Sequence, residues 1–139
     1  MADTKTKHSA APVCKSCQEK ISEAHPELRK WWLRIKKQFP DAHLSWVWRN
    51  KHYQDLFHSL GKSECLWPNS KHNHTDFNVP CSMAMDLFKL RDDNVAVFPL
   101  LWYRSIWEWL QGEKAPMRWG GDFRPKIDGP HYELTIQSK

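Results

Sequence analysis

An α+β domain is what this sequence predicts. Three observations carry the prediction: segments of helical period, short segments that alternate apolar and polar residues, and an order in which helices precede and interrupt strands that pair antiparallel. At 139 residues the chain has the size of one domain, and 40% hydrophobic residues are enough for a core.

The elements follow in order. Residues 1–13 are small and polar and predict no packed structure, so residues 1–20 are read as a flexible leader and 21–139 as the folded domain. Leu28, Trp32, Ile35 and Phe39 recur with helical period over Glu27 to Phe39, with Pro26 in the first turn and Pro40 as the stop. His43 to Arg49 alternates, placing Leu44, Trp46 and Trp48 on one side and Ser45 and Val47 on the other. Lys51 to Leu60 predicts a second helix with Tyr53, Leu56, Phe57 and Leu60 inward and Gly61 after its end. Ser63 to Ser82, rich in Asn and Pro and without a period, predicts a long loop of the kind that carries function. Met83 to Leu90 predicts a strand, Arg91 to Asn94 a turn, and Val95 to Phe98 an extended segment. Pro99 opens a third helix that buries Leu100, Leu101, Tyr103, Ile106, Trp107 and Leu110 and closes at Gly112. Met117 to Trp119 and His131 to Ile136 are the last strands, with a turn at Gly120-Gly121.

Composition narrows the function classes. Net charge is +5 and the pI near 9.1, which favours polyanionic partners: nucleic acid, anionic lipid or a bacterial cell wall. No nucleic-acid-reading motif accompanies that charge, so no nucleic acid is expected. No apolar run is long enough for membrane insertion, and the N-terminus lacks the apolar stretch of a signal peptide. The expected site of synthesis is the cytoplasm. Nine tryptophans are available for the core or for a substrate groove. Cys14-Lys15-Ser16-Cys17 has the spacing of half a zinc knuckle without a second CxxC, so a second metal there stays open. Cys65 and Cys81 read as buried thiols.

The chemistry-bearing residues lie far apart in the chain. On the strand Met83 to Leu90, Ala84, Asp86 and Phe88 share one face, so Asp86 is a carboxylate amid apolar residues. Such a group is costly unless paired or bound to metal. His131 and Glu133 share a face of the last strand, and Asp128 stands three residues before His131. Two histidines and a carboxylate from separate segments can hold a zinc ion with one position open for water, and a second carboxylate is then placed for general-base work.

The motifs Ser70-x-His72, Ala84-x-Asp86, Trp119-Gly120-Gly121-Asp122 and Asp128-x-x-His131 together resemble the VanX/VanY-related zinc peptidases, and most closely the bacteriophage L-alanyl-D-glutamate peptidases. The resemblance runs over about residues 27–136. It implies a small antiparallel sheet with flanking helices cradling a zinc site, the D-Ala-D-Ala carboxypeptidase/hedgehog-like arrangement. It implies Zn2+ as the cofactor, His72, Asp86 and His131 as ligands, Asp128 as catalytic base and Ser70 as a supporting hydrogen-bonding residue. It further implies peptidoglycan stem peptides as substrate, the L-Ala–D-Glu bond as the cut, an endolysin-like role in cell-wall lysis, and synthesis in the bacterial cytoplasm with action on the cell wall after release. A monomer is expected. Asn73 to Cys81 enlarges the gap between SxH and AxD and makes His74 and Asp76 rival ligands. The oxyanion-stabilising cation of the family has no assigned counterpart, with Arg49 and Lys71 as candidates. Three alternatives stand beside this reading: a D-Ala-D-Ala carboxypeptidase or dipeptidase, an inactive zinc-containing binding module, and a knuckle built on Cys14 and Cys17 that binds nucleic acid.

Overall fold

The computed structural model describes residues 15–136. In chain order the elements are α1 (Lys15–Ile21), α2 (Pro26–Gln38), β1 (Ala42–Trp46), α3 (Lys51–Ser59), a 3-10 turn (Lys71–Asn73), β2 (Thr75–Asp76), β3 (Val79–Pro80), β4 (Ala84–Leu90), β5 (Ala96–Val97), α4 (Leu100–Gly112), β6 (Met117–Trp119), a second 3-10 turn (Gly120–Asp122) and β7 (His131–Leu134). The fold is α+β with a small antiparallel sheet ordered β1-β4-β7-β6, to which β5 adds on β4.

Strand β4 is the axis of the molecule. Its pairing with β7 sets Asp86 opposite His131 and Met85 opposite Tyr132. Because successive side chains alternate, one face of these two strands is apolar and the other carries Asp86, His131 and Glu133. Met85, Leu87, Tyr132 and Leu134 are fully buried on the apolar face. Onto that core pack Leu28, Trp31, Trp32 and Ile35 of α2 and Tyr103, Ile106 and Leu110 of α4. The two buried tyrosines lock helix to sheet: Tyr103 donates to the Leu87 carbonyl at 2.6 Å and Tyr132 to the Tyr103 carbonyl at 2.7 Å. Of the nine tryptophans, Trp31, Trp32 and Trp119 are core residues.

Four local expectations are corrected. In β1 a register irregularity between Leu44 and Trp46 breaks the simple alternation. Leu44 and Val47 both enter the core, and Trp46 turns to the opposite face. In α3 the inward side chain is Gln54, fully buried, while Tyr53, Leu56 and Leu60 are exposed. In α4 Leu100 and Leu101 are exposed, because the helix meets the core through Tyr103, Ile106 and Leu110. The segment Ser63 to Ser82 is not one loop: it contains the 3-10 turn and a β2–β3 hairpin turning at Phe77-Asn78, both at positive φ. Two consecutive left-handed residues are what a tight hairpin turn requires, and Phe-Asn gives little sequence sign of it.

The expected leader, 1–20, is helical over its last six residues. There Cys17 is buried, its Sγ 3.8 Å from His43 Nδ1 and accepting from the Leu44 backbone N–H at 3.4 Å. Cys14, and with it the CxxC pair, lies outside the described residues. Cys81 is buried and Cys65 partly so. No helix among the described residues is long and apolar enough to cross a membrane.

Candidate metal centre

Three segments deliver three donor atoms to one point. Asp86 and His131 arrive on facing strands as a cross-strand pair. His72 arrives on the 3-10 turn, which Ser70 and Asn73 cap reciprocally: the Ser70 Oγ accepts from the His72 N–H at 3.2 Å and the Asn73 Oδ1 from the Ser70 N–H at 3.1 Å. His72 Nε2 then lies 3.2 Å from Asp86 Oδ1 and 3.2 Å from His131 Nδ1, and His131 Nδ1 lies 3.1 Å from Asp86 Oδ1. A tetrahedral zinc ion with bonds of about 2.0–2.1 Å sets its ligand atoms about 3.3 Å apart. The triangle therefore has the size such an ion requires, and these three residues are the group among the described residues able to hold a metal ion.

The far side of each imidazole decides which nitrogen faces inward. His72 Nδ1 is 2.7 Å from the Val47 carbonyl, an acceptor only, so Nδ1 carries the proton and Nε2 presents its lone pair. His131 Nε2 is 2.8 Å from Glu133 Oε1, which leaves Nδ1 for the centre. The three groups are also coupled electrostatically. Burial alone would raise the Asp86 carboxyl, but the charge of His72 and hydrogen bonds from His131 and His72 hold it well below the usual carboxylate range. Burial opposes a charge on His131, yet hydrogen bonds to Asp86 and Glu133 push it up to about 10.

Asp128 stands beside the triangle with Oδ2 3.9 Å from His131 Nδ1 and its side chain about half exposed to the cleft. Burial and the neighbouring charge of Asp86 raise its pKa above the ordinary value. Gly120 places it: its carbonyl accepts from the Asp128 N–H at 2.8 Å. A Cβ on Gly120 would lie 2.1 Å from the Asp128 carbonyl oxygen and 2.9 Å from the His131 Cβ. A Cβ on Gly121 would lie 2.2 Å from the Trp119 ring. The pair Gly120-Gly121 is thus a close-approach site that allows Asp128 and His131 to meet.

The rivals fall elsewhere. His74 turns its Nδ1 to the Cys81 carbonyl at 2.8 Å and lines a separate pocket of about 200 Å³ that holds neither Asp86 nor His131. Asp76 is exposed in the hairpin. Of the two candidate cations, Arg49 is buried with Nη2 3.3 Å from Asp86 Oδ2, Nη1 2.9 Å from Gln54 Oε1, and its guanidinium over the Phe57 ring. Lys71 instead donates to the Leu134 carbonyl at 2.8 Å and approaches Glu133 Oε2 at 3.8 Å.

The triangle opens onto a cleft of about 900 Å³ walled by Trp46 and Phe57 on α3's side and by Phe123, whose ring lies 5.5 Å from that of His131. Lys62, Arg124 and Lys126 line it and have no carboxylate within ion-pair distance among the described residues.

No protein-family model and no curated protein sequence matches the chain. Among solved structures its fold is similar to the crystal structure of the Serratia marcescens L-Ala D-Glu endopeptidase ChiX. The TM-score is 0.68 at 20% sequence identity, over 87% of this chain and 87% of that one. At that identity the similarity is one of fold. It covers most of both chains rather than a fragment, so the fold is one on which a peptidase is built.

Sequence reasoning missed two partners of the site. Glu133 was visible only as a residue sharing a face with His131; the spacing H-x-E on a strand was the available signal. The pairing of Arg49 with both Asp86 and Gln54 had no local signal, since a buried Gln in a helix declares itself only through partners from other segments.

Proposed function

We propose that this protein is a zinc-dependent peptidase of peptidoglycan stem peptides, with the L-Ala–D-Glu bond as its cut. The observation that carries the reading is the triangle of His72 Nε2, Asp86 Oδ1 and His131 Nδ1 at zinc-ligand spacing, open to a cleft beside Asp128. The structural neighbour, an L-Ala D-Glu endopeptidase, supports the choice of chemistry and bond. The size of the cleft supports it too: about 900 Å³ lies at the upper end for sites that take a drug-sized ligand, more than a free dipeptide needs. Lys62, Arg124 and Lys126 suit an acidic peptide.

A divalent cation in this set supplies Lewis acidity, making water a stronger acid and the scissile carbonyl a better electrophile. The protein's own groups do the rest. His72, Asp86 and His131 fix the donor atoms, and Arg49 holds the second carboxylate oxygen of Asp86. Asp128 Oδ2 accepts the proton of the attacking water and returns it to the departing amine. Its raised pKa suits a group that must both take and give a proton. We read the protein as an endolysin-like monomer of a phage or prophage, with the catalytic body reaching back to α1.

The test is incubation with purified peptidoglycan, with and without a chelator, followed by mass analysis of released fragments. The expected result is metal-dependent release of fragments with a new N-terminal D-glutamate. Cleavage that ignores the chelator, or a zinc-loaded protein that leaves the wall intact, sinks the reading.

A further inference from the structure

Resting on the metal-centre reading, we propose that Glu133 is the positioning residue that decides which nitrogen of His131 faces the cation, with Lys71 and Arg118 holding Glu133 in place. His131 stands between two carboxylates: Asp86 Oδ1 is 3.1 Å from Nδ1 and Glu133 Oε1 is 2.8 Å from Nε2. A neutral imidazole carries one proton, so only one of these nitrogens can offer a lone pair. A carboxylate on Nε2 keeps the proton there and turns Nδ1 into the ligand atom.

Glu133 is built for this and for little else. It is buried, and a buried carboxylate needs partners. Its other oxygen, Oε2, has Arg118 Nη1 at 3.7 Å and Lys71 Nζ at 3.8 Å. Arg118 is its cross-strand partner in the β6–β7 register, so strand pairing brings that charge to it. Lys71 comes from the 3-10 turn, next to His72, and also donates to the Leu134 carbonyl. One clamp thus ties the His72 segment to the strand that bears His131. It also gives the lysine in Ser70-Lys71-His72 fixed partners on the wall of the cleft.

The two imidazoles differ in a useful way. The tautomer of His72 depends on the Val47 backbone carbonyl, which no side-chain substitution removes. That of His131 depends on a side chain. The experiment compares zinc affinity, by competition with a chromophoric chelator, and long-range imidazole nitrogen NMR on the zinc-loaded parent, Glu133→Met and Glu133→Gln proteins. Glu133→Met is expected to lose zinc affinity about 10- to 100-fold and the hydrogen-bonded Nε2–H signal of His131. Glu133→Gln keeps an oxygen acceptor and should lose less. Lys71→Met and Arg118→Met, both at partly exposed side chains, should give smaller losses in the same direction and carry the comparison if Glu133→Met does not fold. Zinc affinity in Glu133→Met and Glu133→Gln unchanged from the parent, with the His131 signals unmoved, overturns the proposal; so does a parent that takes up no zinc. Both measurements are made without substrate, so a zinc-binding parent that cuts no wall peptide would sink the peptidase reading separately.

Discussion

Asp86 and His131 sit on strands; His72 and Asp128 sit on loops. The first pair is fixed by a backbone ladder that would exist with other side chains in place, since Asp86 and His131 are register partners between β4 and β7. The second pair depends on individual contacts: the Ser70–Asn73 cap and the Val47 carbonyl for His72, and the Gly120 carbonyl and missing Cβ for Asp128. The difference teaches where the site is robust. Substitutions near the strand pair should change chemistry without moving the pair, whereas substitutions near the loop pair should change position.

The largest effect tests whether both halves serve one ion. His72→Ala and His131→Ala should each abolish stoichiometric zinc uptake, read by metal analysis of the purified protein, and reduce release of wall fragments to the blank. If either variant kept full zinc, the two halves would not share a centre. Next comes Asp128→Asn, which keeps the backbone bond to Gly120. The turnover rate should fall about 10²- to 10⁴-fold while zinc content stays at the parent level. Full activity in Asp128→Asn would remove Asp128 from the chemistry.

The same division explains what the sequence made legible. Period-two alternation across Ala84 to Leu90 and His131 to Leu134 assigns faces, and the structure has Asp86, His131 and Glu133 on one face with Met85, Leu87, Tyr132 and Leu134 on the other. The α+β class follows from the same patterns, because they report burial. Alternation fails where register slips, as at Leu44/Trp46, so the turn of Trp46 into the cleft was not readable. In α3 the apolar residues Tyr53, Leu56 and Leu60 misled, because the buried position belongs to Gln54, which bonds Arg49, Ser63 and the Cys65 carbonyl. The loop half was least readable: whether His72 or His74 faces inward depends on a 3-10 turn and a hairpin whose turn residues, Phe77 and Asn78, carry little sequence signal.

Gly120→Ala probes the loop half through packing. The new methyl would overlap backbone at Asp128, which cannot rotate away, and crowd the His131 Cβ. A loss of about 1–3 kcal/mol is expected in urea melts, as for other overpacked sites. Fragment release should fall as well, because the atoms that must give way carry Asp128, the base proposed above. Gly112→Ala, with nothing within 4 Å of the added carbon and a helical backbone, is the control and should leave stability unchanged or raise it by up to about 1 kcal/mol. Equal behaviour of the two variants would mean that the approach at Gly120 does not matter.

Ser70→Ala should have the smallest effect, and its size distinguishes two ways of holding His72. Removing the Oγ deletes the acceptor for the His72 N–H, one half of the capping box; the Asn73 side chain still accepts from the Ser70 backbone N–H, which alanine retains. Loss of such a cap costs about 1 kcal/mol. The imidazole itself remains tied to the Val47 carbonyl, and the backbone bond from Asn73 N–H to the residue-70 carbonyl survives. Stability should therefore drop measurably in urea while zinc affinity, read by chelator competition, changes far less than in His72→Ala. If Ser70→Ala instead lost zinc as completely as the ligand variant does, the cap rather than the imidazole's own hydrogen bond would be what presents Nε2, and the loop half of the centre would hang on a single hydroxyl.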